Sequence, residues 1–174
     1  MDYHNQRFPL MKMLIDDSID FANKTVIDLG CGYGDLCFHA AERGARYVIG
    51  VDKDPAIIEA VEHRSSKLRI YEEFTIILKD LDSFWLANHY DYAFCMSVLP
   101  YLVFPDKLLV WMAQHADVAI IECQYKGDGP GQVLDFDHMK AWLEEYWDFV
   151  QCLGGTLVKD RQKIRHIWMC KNDA

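Results

Sequence analysis

The sequence predicts a three-layer α/β fold, a mostly parallel, seven-stranded sheet with helices on both faces and an antiparallel C-terminal strand. Three observations carry that expectation. Short apolar runs recur at 25–29, 47–52, 74–78, 90–96 and 118–123, as strands buried on both faces read. Stretches with helical spacing separate them. The last third then changes character and closes on two runs, 149–156 and 164–170, that read as a hairpin.

Taken in order, residues 6–22 carry Phe8, Leu10, Met11, Leu14, Ile15, Ile19 and Phe21 at approximately helical spacing, which predicts a helix over one side of the sheet. Asn23-Lys24 links it to the first strand. Residues 35–43 read as a helix stopped by Gly44, and 55–65 as a helix opened by Asp54 as N-cap with Pro55 in its first turn. Helical stretches follow at 81–87 and 106–114. The glycine-rich 127–131 reads as a loop and 137–146 as a helix before the hairpin. No repeat, low-complexity segment or linker interrupts the order. Residues 1–174 therefore read as one domain, with 1–24 as a helical cover and 25–174 as core, and little length is left for a separate substrate domain.

Composition narrows the function. With 51% apolar and 26% charged residues and no apolar run of membrane-spanning length, the chain reads as globular, and its N-terminus lacks the apolar core of a signal peptide. A cytoplasmic location is the expectation. Cys31, Cys37, Cys95, Cys123, Cys152 and Cys170 are scattered, with no C-x-x-C pair and no zinc spacing, so they read as reduced core thiols and no metal site is expected. A net charge of −9 disfavours a long polyanion, whose binding rests on Lys and Arg, so no nucleic-acid partner is expected.

The functional reading rests on Val26-Ile27-Asp28-Leu29-Gly30-Cys31-Gly32-Tyr33-Gly34 and on Val48-Ile49-Gly50-Val51-Asp52. Glycines at alternate positions after a buried strand let the backbone turn sharply and approach a ligand closely. Asp52 closes the next strand about twenty residues beyond Gly30, where a carboxylate can accept both hydroxyls of a ribose. A dinucleotide fingerprint would run G-x-G-x-x-G and offer amides to a pyrophosphate. Here the spacing is G-x-G-x-G, Asp35 follows directly, and no Lys or Arg stands in the loop. Asp28 suits an ammonium group. A tight strand-to-helix turn capped by Asp28 is the plain alternative, and Asp52 weighs against it. Cys31 reads as a small residue that fits the loop, with a reactive thiol as the alternative.

From Asp28 to Gly34 the chain resembles the class I S-adenosylmethionine-dependent methyltransferases, whose first motif is D/E-x-G-x-G-x-G, and the resemblance spans most of the chain. It implies a Rossmann-like sheet with the last strand inserted antiparallel beside the fifth. It also implies S-adenosylmethionine as cofactor and S-adenosylhomocysteine as product. On this resemblance, Asp28 and the loop of Gly30, Cys31, Gly32 and Gly34 border the methionine end, and Asp52, followed by Lys53, takes the ribose. Lys79-Asp80-Leu81-Asp82 resembles the adenine segment, with Asp80 accepting from the exocyclic amino group and the Leu81 amide donating to the ring; Asp82 is the alternative acid. Ser97, after the fourth strand, completes the cofactor set. Phe84 and Trp85 read as core, with an adenine wall as the alternative.

Ser97-Val98-Leu99-Pro100-Tyr101-Leu102 resembles the S-V-L-H-H-L pattern of many small-molecule methyltransferases. Pro100 and Tyr101 stand where the histidines would be, so a histidine base from this segment is lost and Tyr101 becomes a candidate to orient an acceptor. The asparagine-proline-proline-aromatic signature of amino-group methylation on bases and glutamine is missing. His39 and Glu122 are the other candidate bases; a surface or capping histidine and a carboxylate satisfied by loop amides are their plain readings. No base is obligatory, because positioning supplies much of the rate. Lys163 and Arg165 are candidates for a local anion site against a charged hairpin edge, and 127–131 with Tyr125, or residues 3–8, for a moving cover.

The reading is an enzyme that moves a methyl group from S-adenosylmethionine to an oxygen or nitrogen of a small-molecule acceptor, away from membranes. Two alternatives stand beside it: a methyltransferase acting on protein or RNA with a partner subunit, and a non-catalytic S-adenosylmethionine-binding scaffold or activator. A nicotinamide-dependent oxidoreductase is disfavoured by the loop spacing and by Asp28 and Asp35.

Overall fold

The strand Thr25–Leu29 (β1) is the axis of the molecule. In the computed structural model, which describes residues 4–68, 74–83, 85–123, 136–157 and 164–173, it pairs in parallel with Tyr47–Asp52 (β2) on one side and Tyr90–Met96 (β4) on the other. Phe74–Leu78 (β3) extends the sheet beyond β2, and Ala116–Cys123 (β5) extends it beyond β4, both in parallel. Ile164–Lys171 (β7) lies antiparallel between β5 and Phe149–Leu157 (β6), giving a seven-stranded sheet in the order β3-β2-β1-β4-β5-β7-β6. This is the mixed sheet expected, with its last strand beside the fifth. The chain builds outward from β1 in one direction and then from β4 in the other, so a crevice opens beyond the carboxyl ends of β1 and β4, where ligands bind in sheets of this kind.

Alternation along the strands divides the core. Val26, Val48, Phe94 and Ile120 face His4–Asp16 (α1), Asp35–Glu42 (α2) and Pro55–Leu68 (α3), meeting Ile15, Phe38 and Val61. Their neighbours Ile27, Val51, Cys95 and Ile121 face Pro105–His115 (α4) and Phe136–Leu143 (α5), meeting Leu109, Met112 and Leu143. Each such side chain contributes about 1.5–3 kcal/mol by leaving water. At the opposite end of the sheet from the crevice, Asp91 fastens β1 to β4. It accepts the Thr25 N–H (2.8 Å), the Thr25 hydroxyl (2.7 Å) and the Lys24 ammonium (2.9 Å). Burial by itself would raise the Asp91 carboxyl; the Thr25 donors and Lys24 outweigh it and hold the group at about 2.

The structure corrects the sequence reading in several places. The helix expected at 6–22 stops at Asp16, because the Ser18 hydroxyl donates back to the Leu14 carbonyl (2.7 Å), Asp20 accepts the Ala22 N–H (2.9 Å) and Asn23 turns at φ 60°. The helix expected at 81–87 is only a 3-10 turn, Leu81–Ser83, and 85–89 is irregular. Its first residues are claimed by turn bonds: the Asp80 carboxylate accepts the Asp82 N–H (3.0 Å) and its carbonyl the Ser83 N–H (3.1 Å). Further on, the Leu86 carbonyl accepts the Trp111 indole N–H (2.9 Å), tying this irregular segment to α4. Trp85, expected in the core, is 67% exposed. The helix expected at 137–146 ends at Leu143 and continues as a turn closed by Tyr146 N–H on the Leu143 carbonyl (3.0 Å).

The loop 127–131 with Tyr125, residue Phe84, the first three residues and the hairpin tip with Lys163 lie outside the described residues. All six cysteines are free thiols. Among the described residues no helix is long and apolar enough to cross a membrane, and no group of three or more His, Cys, Asp or Glu is arranged to hold a metal ion.

Candidate functional site

The turn after β1 is built on left-handed backbone: Gly30, Gly32 and Gly34 have φ of 80°, 51° and 72°. Gly30 and Cys31 both donate their N–H to the Val51 carbonyl (2.8 and 2.9 Å), pinning the turn against β2. The three glycines have different neighbours. A Cβ on Gly30 would strike Val98 and one on Gly34 would press on Phe38 and Val61, whereas one on Gly32 would meet nothing within 4 Å. Gly32 therefore opens onto free space.

Asp52, at the end of β2, is wired into this turn. Its Oδ2 accepts the Gly32 N–H (3.0 Å) and its Oδ1 the Asp54 N–H (3.0 Å), while its carbonyl accepts the Lys79 N–H (2.8 Å) that begins the segment after β3. The expected helix-capping role falls to Asp54, whose carboxylate accepts the Ala56 N–H (2.9 Å). A cavity of about 210 Å³ lies between these elements, lined by Gly30, Asp52, Asp80, Leu81, Val98 and Tyr101, with Lys53, Lys79 and Leu102 completing the lining. A larger hollow of about 500 Å³ shares Leu81 and opens beside α4 and Trp85, where the helix expected at 81–87 does not form.

Asp80, assigned to the adenine, and Asp82, its alternative, have different work. Asp80 borders the cavity and holds its own turn. Asp82 Oδ1 faces α4 and accepts the N–H groups of Val103 and Phe104, each at 2.9 Å.

Ser97 leaves β4 in the left-handed region at φ 65°, held there by Glu122. Its N–H donates to the Glu122 carbonyl (2.9 Å) and its hydroxyl to the Glu122 carboxylate. Glu122 is fully buried at the end of β5 and also accepts the Thr156 hydroxyl from β6 (2.7 Å). The hydroxyls of Ser97 and Thr156 thus both donate to this carboxylate. Tyr101 stands on the 3-10 turn Leu99–Tyr101, half exposed at the cavity.

Asp28 is buried under the turn, where the Cys37 thiol donates to its Oδ2 (3.4 Å). Burial pushes its carboxyl up to about 7 against that hydrogen bond, and Asp52 and Asp35 push it the same way. Cys31 is buried and directed at the Gly32 carbonyl. His39 is neither a surface nor a capping residue. It is buried, with Nε2 2.7 Å from Asp16 Oδ1 and its ring edge-on to Phe21, packed between helices and outside the cavity lining. The loop itself carries no Lys or Arg, but Arg64 reaches it from α3, pairing with Asp35 (2.6 Å) and donating to the Tyr33 carbonyl (3.3 Å). Sequence reasoning missed the tether made by Asp82, the Thr156 partner and Arg64; only the repeat of acids at Asp80 and Asp82 hinted at the first.

Comparison with known proteins bears on the family and the fold. A family model described as a methyltransferase domain matches residues 20–167. The ribosomal protein L11 methyltransferase of Aliivibrio salmonicida is 42% identical over 62 residues, 36% of this chain and 21% of that protein. An uncharacterized protein of Methanocaldococcus jannaschii is 40% identical over 70 residues, 40% of this chain and 32% of that one. The matched parts thus span a fifth to a third of these relatives. Among solved structures, magnesium protoporphyrin IX methyltransferase from Synechocystis, with bound S-adenosylmethionine, superposes with a TM-score of 0.73 at 19% identity, over 97% of this chain and 79% of that one. The [4+2]-cyclase SpnF superposes with a TM-score of 0.78 at 11% identity, over 95% of this chain and 82% of that one. These two share the fold. The motif from Asp28 to Gly34, the sheet order and the family match over most of the chain together identify it as a member of the class I S-adenosylmethionine-dependent methyltransferase family.

Proposed function

We propose that this family member transfers the methyl group of S-adenosylmethionine to an oxygen or nitrogen of a small-molecule acceptor, with the cofactor seated between the glycine turn, Asp52 and the Asp80-Leu81 segment. The observation that carries the cofactor seat is Gly32. It is the one glycine of the turn whose missing Cβ leaves open space, and its amide is bonded to the acid that would take the ribose. Bound there, the cofactor supplies an electrophilic methyl group on a sulfonium.

The residues of the chain divide the remaining work. Asp28 offers a carboxylate for the ammonium of the methionine end. Asp52 accepts from ribose hydroxyls while keeping Gly32 in place. Asp80 accepts from the adenine amino group and the Leu81 N–H donates to the ring. Lys53, exposed on the cavity wall, covers the ribose side through its methylene stem. Cys31 and Gly34 shape the turn. Tyr101 borders the cavity from the loop after β4 and is the candidate to orient the acceptor, while Ser97 and Glu122 keep that loop in its left-handed start. In this reading the rate comes from holding acceptor and methyl group in line, with no base required for an uncharged amine.

A second reading, a protein acceptor bound with help from a partner chain, is favoured by the identity to L11 methyltransferases over 36% of the chain. Titration calorimetry with S-adenosylmethionine and S-adenosylhomocysteine, on the wild type and on Asp52→Ala, tests the seat. Binding of both, lost in the variant, is expected, and no binding to the wild type would overturn it. Labelled-methyl transfer into small-molecule and protein fractions of a cell extract then separates the two acceptors.

A further inference from the structure

The segment from Ser97 to Phe104 joins β4 to α4 and carries Tyr101 to the cavity, and it is fastened at three points. Glu122 holds its start through the Ser97 amide and hydroxyl. Val98, the next residue, closes on the Cα of Gly30. Asp82 holds its far end by accepting the Val103 and Phe104 amides on a single oxygen. The last fastening lies at a helix start. Phe104 is the N-cap of α4 and has no side-chain cap of its own, and its backbone amide, which the third helical residue serves in a capping box, is taken here by a carboxylate from another part of the chain. A carboxylate there is also favoured by the positive end of the helix dipole.

Asp82 follows directly on Asp80 and Leu81, in a 3-10 turn closed by Asp80 itself. The wall facing the adenine and the wall bearing Tyr101 are therefore joined by one half-buried side chain. We infer that Asp82 is a positioning residue: by fastening the α4 end of the loop to the segment after Asp80 and Leu81, it couples occupancy of the adenine end of the cavity to the seat of Tyr101. This rests on the cofactor reading above. Because only Oδ1 is used, an asparagine oxygen can replace it, whereas a shorter or apolar side chain cannot reach both amides.

Amide exchange read by mass spectrometry or NMR on wild type, Asp82→Ala and Asp82→Asn, with and without S-adenosylhomocysteine, tests the inference. In the wild type the ligand is expected to slow exchange across both 80–82 and 98–104. In Asp82→Ala without ligand, the Val103 and Phe104 amides are expected to exchange about tenfold faster. Ligand then slows 80–81 alone, and affinity drops by about fivefold or more. Asp82→Asn is expected to match the wild type. Unchanged exchange at Val103 and Phe104 in Asp82→Ala, or retained slowing of 98–104 by ligand, overturns the inference. Absence of binding to the wild type overturns the cofactor reading instead, and the ligand-free exchange of the same proteins still reads the tether. Should Asp82→Ala not fold, Asp82→Ser, whose hydroxyl is too short for both amides, is expected to give the same pattern.

Discussion

Gly30 and Val98 meet so closely that a methyl group on the Gly30 Cα would stand 2.4 Å from Val98 Cγ2. The contact joins the turn after β1 to the loop after β4 across the crevice, and Gly30 also needs its φ of 80°. Gly30→Ala is expected to cost about 2–4 kcal/mol, combining backbone strain with overpacking. Val98→Ala in the same chain should recover part of that loss by removing the clash. Urea denaturation of both single variants and the double variant measures the coupling, and strictly additive costs would contradict the contact.

Gly32→Ala separates ligand from fold. Its Cβ would meet no protein atom within 4 Å, so only the strain of φ 51° is charged to stability, about 1 kcal/mol. The expected outcome is a folded protein whose affinity for S-adenosylhomocysteine, measured by calorimetry, falls about tenfold or more, equivalent to at least about 1.4 kcal/mol. A variant that binds as the wild type does would move the ligand away from Gly32.

Asp28 makes stability and binding depend on pH in opposite senses. Its carboxyl is raised by burial from 3.8 to about 7, so between those values the folded state keeps a proton that the unfolded chain has released. Stability is therefore expected to fall as pH rises across that window, and Asp28→Asn should remove this fall when urea midpoints at pH 5 and pH 8 are compared. Binding of an ammonium-bearing ligand, which favours the ionised carboxylate, should strengthen over the same rise. S-adenosylhomocysteine is expected to follow it and methylthioadenosine, which lacks the amino-acid end, to stay flat; equal slopes for both would put the ammonium elsewhere.

Asp91 tests the opposite end of the sheet. Asp91→Ala leaves the Thr25 amide and hydroxyl without their acceptor and is expected to cost about 1–3 kcal/mol at pH 7. Because the folded carboxyl sits below its usual value, at about 2 against 3.8, its contribution is present above about pH 4 and is lost as pH falls towards 2. The gap between wild type and variant in urea denaturation should narrow in acid, and a gap independent of pH would count against the clamp.

What the sequence determined by itself was local and periodic. Buried strands announce themselves as short apolar runs, which is why Tyr47–Asp52, Phe74–Leu78 and Tyr90–Met96 are found at the residues expected. The glycines of the turn and the spacing to Asp52 are legible for the same reason, since backbone freedom and distance along the chain are properties of neighbouring residues. Tertiary structure decided which polar groups those elements use. Asp82 was spent on the two amides just before α4, so Asp80 is left at the cavity; Arg64 came from α3 to pair Asp35; Thr156 crossed from β6 to Glu122. The helix expected at 81–87 lost to the same cause, because its amphipathic spacing could not outbid turn bonds at Asp80 and an anchor from Trp111. A carboxylate or hydroxyl is satisfied by whichever donor the packed helices and strands bring within about 3 Å, and that partner lies far off in sequence, where no periodicity can announce it.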